Sequence, residues 1–156
     1  MKRRKLHLKK IYLYKSKENI GFGAAINKAA KFTDLCNPDF LLIINNDTIL
    51  PNTFFNSFQN SLIVKIQNNL TIFSPLIKTW PGKRIWFTGG RISLIKSMGE
   101  HSIDIPENKI TKTGFISGCC IICKPSGFNK LSGFDEKFFL YYEDVDFCIR
   151  AQKKGY

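Results

Sequence analysis

Asp39-Phe40-Leu41-Leu42-Ile43-Ile44-Asn45-Asn46-Asp47 is the stretch that decides how this chain folds. Its centre is apolar without a polar alternate, so a strand built from it must be covered on both faces. The run then stops on three polar side chains. In open α/β sheets ligands gather beyond the carboxyl ends of strands, which makes Asn45, Asn46 and Asp47 candidates for a site. Asp47 offers a hard oxygen ligand of the kind that holds Mg²⁺ or Mn²⁺ beside substrate phosphates. A plain turn, with Asp47 or Thr48 capping the next helix, is the structural alternative.

Pro51 is expected to open that helix, where a missing N–H costs nothing. Phe55, Phe58 and Leu62 recur at helical spacing and are expected to face the core. Upstream, Leu6 to Tyr14 reads as a strand, Glu18 to Gly23 as a turn and Ala24 to Phe32 as a helix. Downstream, residues 71–76, 84–88 and 115–123 read as strands. Residues 124–131 form a short helix closed by Gly133, and residues 143–154 a final helix closed by Gly155. Strands alternating with helices predict an α/β sandwich with a largely parallel sheet, in one domain over residues 1–156.

Composition agrees with a packed core. The 156 residues are 44% apolar, with 14 phenylalanines, and the 23% charged content excludes a disordered chain. The net charge of +12 is concentrated at the ends, above all in Lys2-Arg3-Arg4-Lys5 with Lys9 and Lys10. Residues 1–10 read first as a solvated, frayed end. A second reading is a peripheral contact with anionic lipid, worth ~1 kcal/mol per basic residue. No apolar run approaches the roughly 20 residues that span a bilayer, so a cytoplasmic protein is expected, soluble or peripheral at the inner face of the membrane. The five cysteines are odd in number and form no disulfide framework; with only two histidines beside them, they are expected to be core thiols rather than zinc ligands. The lysines do not alternate with exposed aromatics, so nucleic acid is not an expected partner.

A second acidic cluster lies at Tyr141-Tyr142-Glu143-Asp144-Val145-Asp146. Crowded carboxylates beside aromatic rings hold protons more readily, which suits a proton acceptor. The structural alternative is that acids favour a helix's first turn and that Asp146 pairs with Arg150 one turn on.

The stretch Phe134-Asp135-Glu136-Lys137-Phe138-Phe139-Leu140-Tyr141-Tyr142-Glu143-Asp144-Val145-Asp146-Phe147-Cys148-Ile149-Arg150 resembles the signature of family 2 glycosyltransferases, in particular their rhamnosyltransferase-like branch. Glu18-Asn19-Ile20-Gly21-Phe22-Gly23 with Asn27 is similar to that family's donor-binding segment. Leu42 to Thr48 is similar to its metal motif, with Asn45 where many relatives carry an aspartate. Trp86 to Ser93 and Ser117-Gly118 follow in the family's order. The resemblance implies a GT-A fold, which is Rossmann-like, and inverting transfer of a rhamnose-like hexose. The donor would be a nucleoside-diphosphate sugar and the acceptor a hydroxyl of a glycan or lipid-linked glycan. It implies Asp144 as catalytic base with Glu143 beside it, and Asp47 as ligand of Mg²⁺ or Mn²⁺. Asn19, Gly21, Asn27, Asn45, Asn46 and Gly118 would serve the donor. The family's opening strand, turn, helix and second strand have no counterpart before Ile11, so an incomplete, truncated GT-A domain is expected. A non-catalytic remnant or partner-binding subunit that keeps the GT-A core is the second reading.

Overall fold

The computed structural model describes residues 11–62, 72–93, 98–105, 107 and 110–155. Residues 11–16 form no strand. Their hold on the rest is aromatic: Tyr12 stacks on Phe32 at 5.4 Å and the Lys28 ammonium sits over the Tyr14 ring at 5.8 Å. The rest of the expected Leu6–Tyr14 strand, and the polybasic segment 1–10, lie outside the described residues.

Helix α1 spans Phe22–Ala30 and tightens into a 3₁₀ turn over Lys31–Leu35. Strand β1 is Leu41–Ile44, the apolar run itself. Helix α2 is Phe54–Leu62, followed by short strands β2 (Ile72–Phe73), β3 (Ile77–Lys78) and β4 (Ile85–Phe87). Strands β5 (Gly89–Ser93) and β6 (Met98–Ser102) pair as an antiparallel hairpin. Strand β7 (Cys120–Cys123), α3 (Pro125–Lys130) and α4 (Glu143–Lys153) complete the order.

The central sheet has the order β1-β7-β2. Two-sided cover is as the sequence predicts. Along β7, Ile121 and Cys123 point into a cluster with Phe128, Phe134, Phe147 and Phe87, whereas Cys120 and Ile122 point the other way onto Phe54. One layer is therefore α1, α3 and α4 and the other α2. Phe87, Phe134, Phe147 and Ile121 are fully buried, and each such side chain contributes about 2 kcal/mol on burial. Burial also pushes the Cys120 thiol up to about 11 and those of Cys123 and Cys148 up to about 12, the behaviour of core thiols.

The expected largely parallel ladder is corrected. Every ladder among the described residues is antiparallel, because β7 runs between β1 and β2 and opposes both. Strands β1 and β2 do run the same way, as the two ends of one crossover. A strand covered on both faces reads as a continuous apolar run whichever way it points, so the sequence pattern carries no direction.

Two smaller expectations also change. Helix α2 begins at Phe54, whose amide donates to the Pro51 carbonyl at 2.9 Å, so Pro51 belongs to the preceding turn. Phe54 is consequently the buried residue, with Phe58 packed beside it, and Phe55 is turned to solvent. The side chain of Leu62 lies outside the described residues. The end caps hold: Gly133 and Gly155 both take positive φ just after α3 and α4.

Candidate active site

The signature stretch is tied down by side chains far away in sequence. The Asn27 amide on α1 donates to the Phe134 carbonyl at 2.8 Å and to Glu136 Oε1 at 3.1 Å, and its oxygen accepts from the Phe134 amide at 2.9 Å. Arg150 on α4 donates to Gly133 O at 2.9 Å and to Leu131 O, and pairs with Asp146 at 2.7 Å. The expected Asp146–Arg150 pair is thus present, within a wider clamp on the turn that follows α3.

That clamp fixes the approach to α4. The chain enters it through Tyr141 and Tyr142, both in the left-handed region at φ 67° and 66°. Left-handed backbone at bulky residues costs roughly 1–3 kcal/mol each and gathers at functional sites. Tyr142 is the N-cap, and its carbonyl accepts from the Asp146 amide at 2.9 Å. Glu143, Asp144 and Asp146 then fall in the first turn, where the helix dipole favours negative charge.

Asp144 is held on both oxygens. Oδ2 accepts from the Gly118 amide at 2.7 Å and Oδ1 from the Val145 amide at 2.8 Å. The Gly118 N–H is free to do so because Ser117–Cys119 is a turn rather than part of the expected 115–123 strand. The Cys120 amide donates back to Ser117 O at 3.3 Å, and ladder pairing starts only at Cys120. A Cβ at position 118 would sit 3.4 Å from Asp144 Oδ2. Each carboxylate oxygen keeps a further lone pair for a substrate hydroxyl.

Glu143 differs from its neighbour. It is 7% exposed, and its Oε2 has no hydrogen-bond partner. Burial lifts its pKa above the ordinary carboxylate value; a backbone hydrogen bond of its own works against that, and the charge of Asp144 adds to the rise.

Asp144, Glu143, Gly118 and Asn45 line one cleft of about 460 Å³. Its far wall comes from the small sheets: Trp86 of β4, and Gly99 and His101, which alternate onto one face of β6. The His101 ring meets those of Trp86 and Phe87 edge-on, each at 5.0 Å. Trp86, His101 and Tyr142 were not assigned to the site by sequence reading. The available signal was the alternation of Ile85–Phe87, which sends Phe87 inward and Trp86 outward.

The other expected residues stand at the edges. Asn19 Oδ1 accepts from the Gly21 amide at 3.1 Å, closing a turn. Gly21 has φ 82°, and a Cβ there would come within 2.5 Å of Phe139 O, which accepts from the Phe22 amide at 3.3 Å. The Asn19–Gly21 turn therefore docks onto the signature stretch. Asn27 does not line the cleft; its amide is committed to Phe134 and Glu136. Asn45 is joined to the Gly118 turn by its amide, which donates to Cys119 O at 3.2 Å. Asn46 and Asp47 are exposed beyond it. Asp47 caps no helix, since α2 starts only at Phe54. Among the described residues no three His, Cys, Asp or Glu side chains gather as a metal set. Asp47 with the Asn45 and Asn46 amides is an all-oxygen donor set with one carboxylate. It fits a hard divalent ion that keeps water and takes further oxygens from a diphosphate.

No family model matches the chain and no solved structure does. Similarity to curated proteins is partial. Over 43 residues it is 44% identical to the N-acetylglucosaminyl-diphospho-decaprenol L-rhamnosyltransferase of Mycobacterium tuberculosis, covering 28% of this chain and 14% of that protein. Over 148 residues it is 23% identical to a low-salt glycan biosynthesis hexosyltransferase of Haloferax volcanii, covering 93% of this chain and 47% of that one. Over 61 residues it is 31% identical to the rhamnosyltransferase WbbL of Escherichia coli, covering 37% and 23%. The chain spans less than half the length of each of these relatives. All three are named as glycosyltransferases, which supports a glycosyltransferase at that coarse level. No described helix is long and apolar enough to cross a membrane.

Proposed function

We propose that this chain forms the catalytic portion of a family 2 glycosyltransferase of the GT-A type. It would move a rhamnose-like hexose from a nucleoside-diphosphate sugar to a hydroxyl of a glycan or lipid-linked glycan, with inversion. The observation that carries the proposal is the Asp144 carboxylate, fixed by the Gly118 amide at 2.7 Å in the wall of a 460 Å³ cleft. Both of its oxygens have a fixed direction and spare lone pairs, which is what a general base for a hydroxyl requires.

In the proposed step the acceptor oxygen bonds to the anomeric carbon as the bond from that carbon to the diphosphate breaks. The hydroxyl proton goes to Asp144, and the bonding pair leaves with the diphosphate. A positioned base of this kind contributes ~10²–10⁴-fold. Asp47, with Asn45 and Asn46, would hold Mg²⁺ or Mn²⁺, which supplies charge neutralisation on the leaving phosphates. The Asn19–Gly21 turn, docked on Phe139, would serve the donor together with Phe22, which lines the cleft, and Gly118 leaves room beside the base. Asn27 acts from behind by holding Phe134 and thereby α4 in place. The polybasic residues 1–10 would attract the anionic surface on which a lipid-linked acceptor is carried.

The experiment is incubation of the chain with a panel of nucleoside-diphosphate sugars, Mn²⁺ and glycan acceptors. Released nucleoside diphosphate and the anomeric configuration of the product are read. Acceptor-dependent release with inversion is expected. A folded chain that binds none of the donors by calorimetry would leave the non-catalytic subunit as the reading.

A further inference from the structure

The phenylalanines Phe87, Phe115, Phe128, Phe134 and Phe147 are buried in the core, yet several aromatic rings stand exposed where the chain turns into α4. Tyr142 is 49% exposed and Trp86 is 40% exposed, and both line the cleft that holds Asp144. Exposed large rings on a folded surface are costly unless something covers them. Tyr142 is, in addition, held with φ at 66° directly after Tyr141 at 67°. A glycine or asparagine would take that conformation more easily. A tyrosine kept in a backbone region that disfavours it, with its ring open to the cleft, points to use of the ring.

We propose that Trp86 and Tyr142 form a stacking subsite for the acceptor, taking the C–H face of a pyranose ring while Asp144 receives one of its hydroxyls. The proposal rests on the transferase reading for the name "acceptor", but the binding it describes does not require turnover. The chemistry favours a sugar over a hydrocarbon tail. The negative face of an aromatic ring attracts the weakly positive axial C–H groups of a pyranose. The same cleft presents a carboxylate and the Asn45 side chain to the hydroxyl edge. A lipid tail would cover the rings but strip water from those polar groups without replacing it. A wall of aromatic and apolar side chains with a few convergent polar groups is the usual composition of a small-molecule site. His101, edge-on to Trp86 at 5.0 Å and in the same cleft wall, packs against the indole and steadies it.

The test uses tryptophan emission. Trp80 is the only other tryptophan of the chain and is 70% exposed outside the cleft lining, so Trp80→Phe leaves Trp86 as the single reporter. The folded Trp80→Phe protein is titrated with methyl glycosides of N-acetylglucosamine, glucose and rhamnose, with glycerol and dodecyl-chain detergent micelles as controls. A saturable emission shift with at least one glycoside, and none with glycerol, is expected. Adding Tyr142→Gly should weaken that binding at least tenfold. Because glycine suits the left-handed φ at 142, the variant should melt no lower than its parent, which separates loss of the ring from loss of the fold. The proposal is overturned if no glycoside shifts the emission, if Tyr142→Gly binds as tightly as its parent, or if only micelles respond. Glycoside binding without any transfer would retain the subsite and reject the catalytic reading. Transfer without the emission shift would do the reverse.

Discussion

The two polar clusters of this protein are built in opposite ways. Around α4 the functional polar groups are pinned by partners: Asp144 by the Gly118 amide, Asp146 by Arg150 one turn on, and the turn before them by Asn27, 107 residues away in sequence from Phe134. At the end of β1 the backbone is fixed through Asn45, while Asn46 and Asp47 project into solvent. A group that must accept a proton at one point in space needs the first arrangement. A group that closes around an ion only when phosphates arrive is served by the second, because some of its ligands come with the substrate. On the proposed function, mutation at the α4 end is expected to affect stability and mutation at the β1 end only ligand binding.

The largest expected effect on stability is from Arg150→Ala, which leaves the Leu131 and Gly133 carbonyls without their donor and Asp146 without its counter-charge. Roughly 3 kcal/mol should be lost, measurable by chemical denaturation. Next, Asn27→Ala should cost about 2 kcal/mol by orphaning the Phe134 amide and carbonyl. Either variant melting like the parent would show that the clamp on the signature stretch is ornamental.

A smaller effect concerns pH. In the folded chain Glu143 keeps its proton to higher pH than in the unfolded chain, where the ordinary value is near 4.5. Between those two values the native state binds more protons, so this group's contribution to stability falls as pH rises through the window. Glu143→Gln should remove that fall, giving a flatter profile of melting temperature against pH. An unchanged slope would show that Glu143 ionises freely. Smallest of all, Asp47→Ala should shift stability by less than about 0.5 kcal/mol, while weakening Mn²⁺-dependent donor binding more than metal-free binding. Equal loss with and without the ion would reduce Asp47 to a turn residue.

The same contrast explains what could be read in the sequence. Leu41–Ile44 and Cys120–Cys123 were legible as strands buried on both faces, because a continuous apolar run has few other uses. Their antiparallel pairing was not, since side-chain burial does not encode direction. Met98–Ser102 was missed because Met-Gly-Glu-His-Ser has no strand pattern of its own; it is a strand by virtue of pairing with Gly89–Ser93. Phe54 and Phe55 were exchanged by the starting point of one helix, since a shift of a single position turns the buried face by about 100°. In the site, carboxylate identity and order were visible in residues 143–146. The clamp through Asn27 was not, because a hydrogen bond across so much chain leaves no local periodicity. Trp86 and Tyr142 became visible as cleft walls only when the hairpin and the left-handed entry to α4 were in place.

The central claim is that the pinned carboxylate at Asp144 takes the acceptor's proton. Its most direct test is the rate of acceptor-dependent nucleoside-diphosphate release by Asp144→Asn beside the parent, at matched fold. The amide oxygen can still accept from the Gly118 amide while its NH2 loses the bond from the Val145 amide, so stability should fall by about 1 kcal/mol while the rate falls by ~10²–10⁴-fold. A variant that folds and transfers within tenfold of the parent would contradict the account.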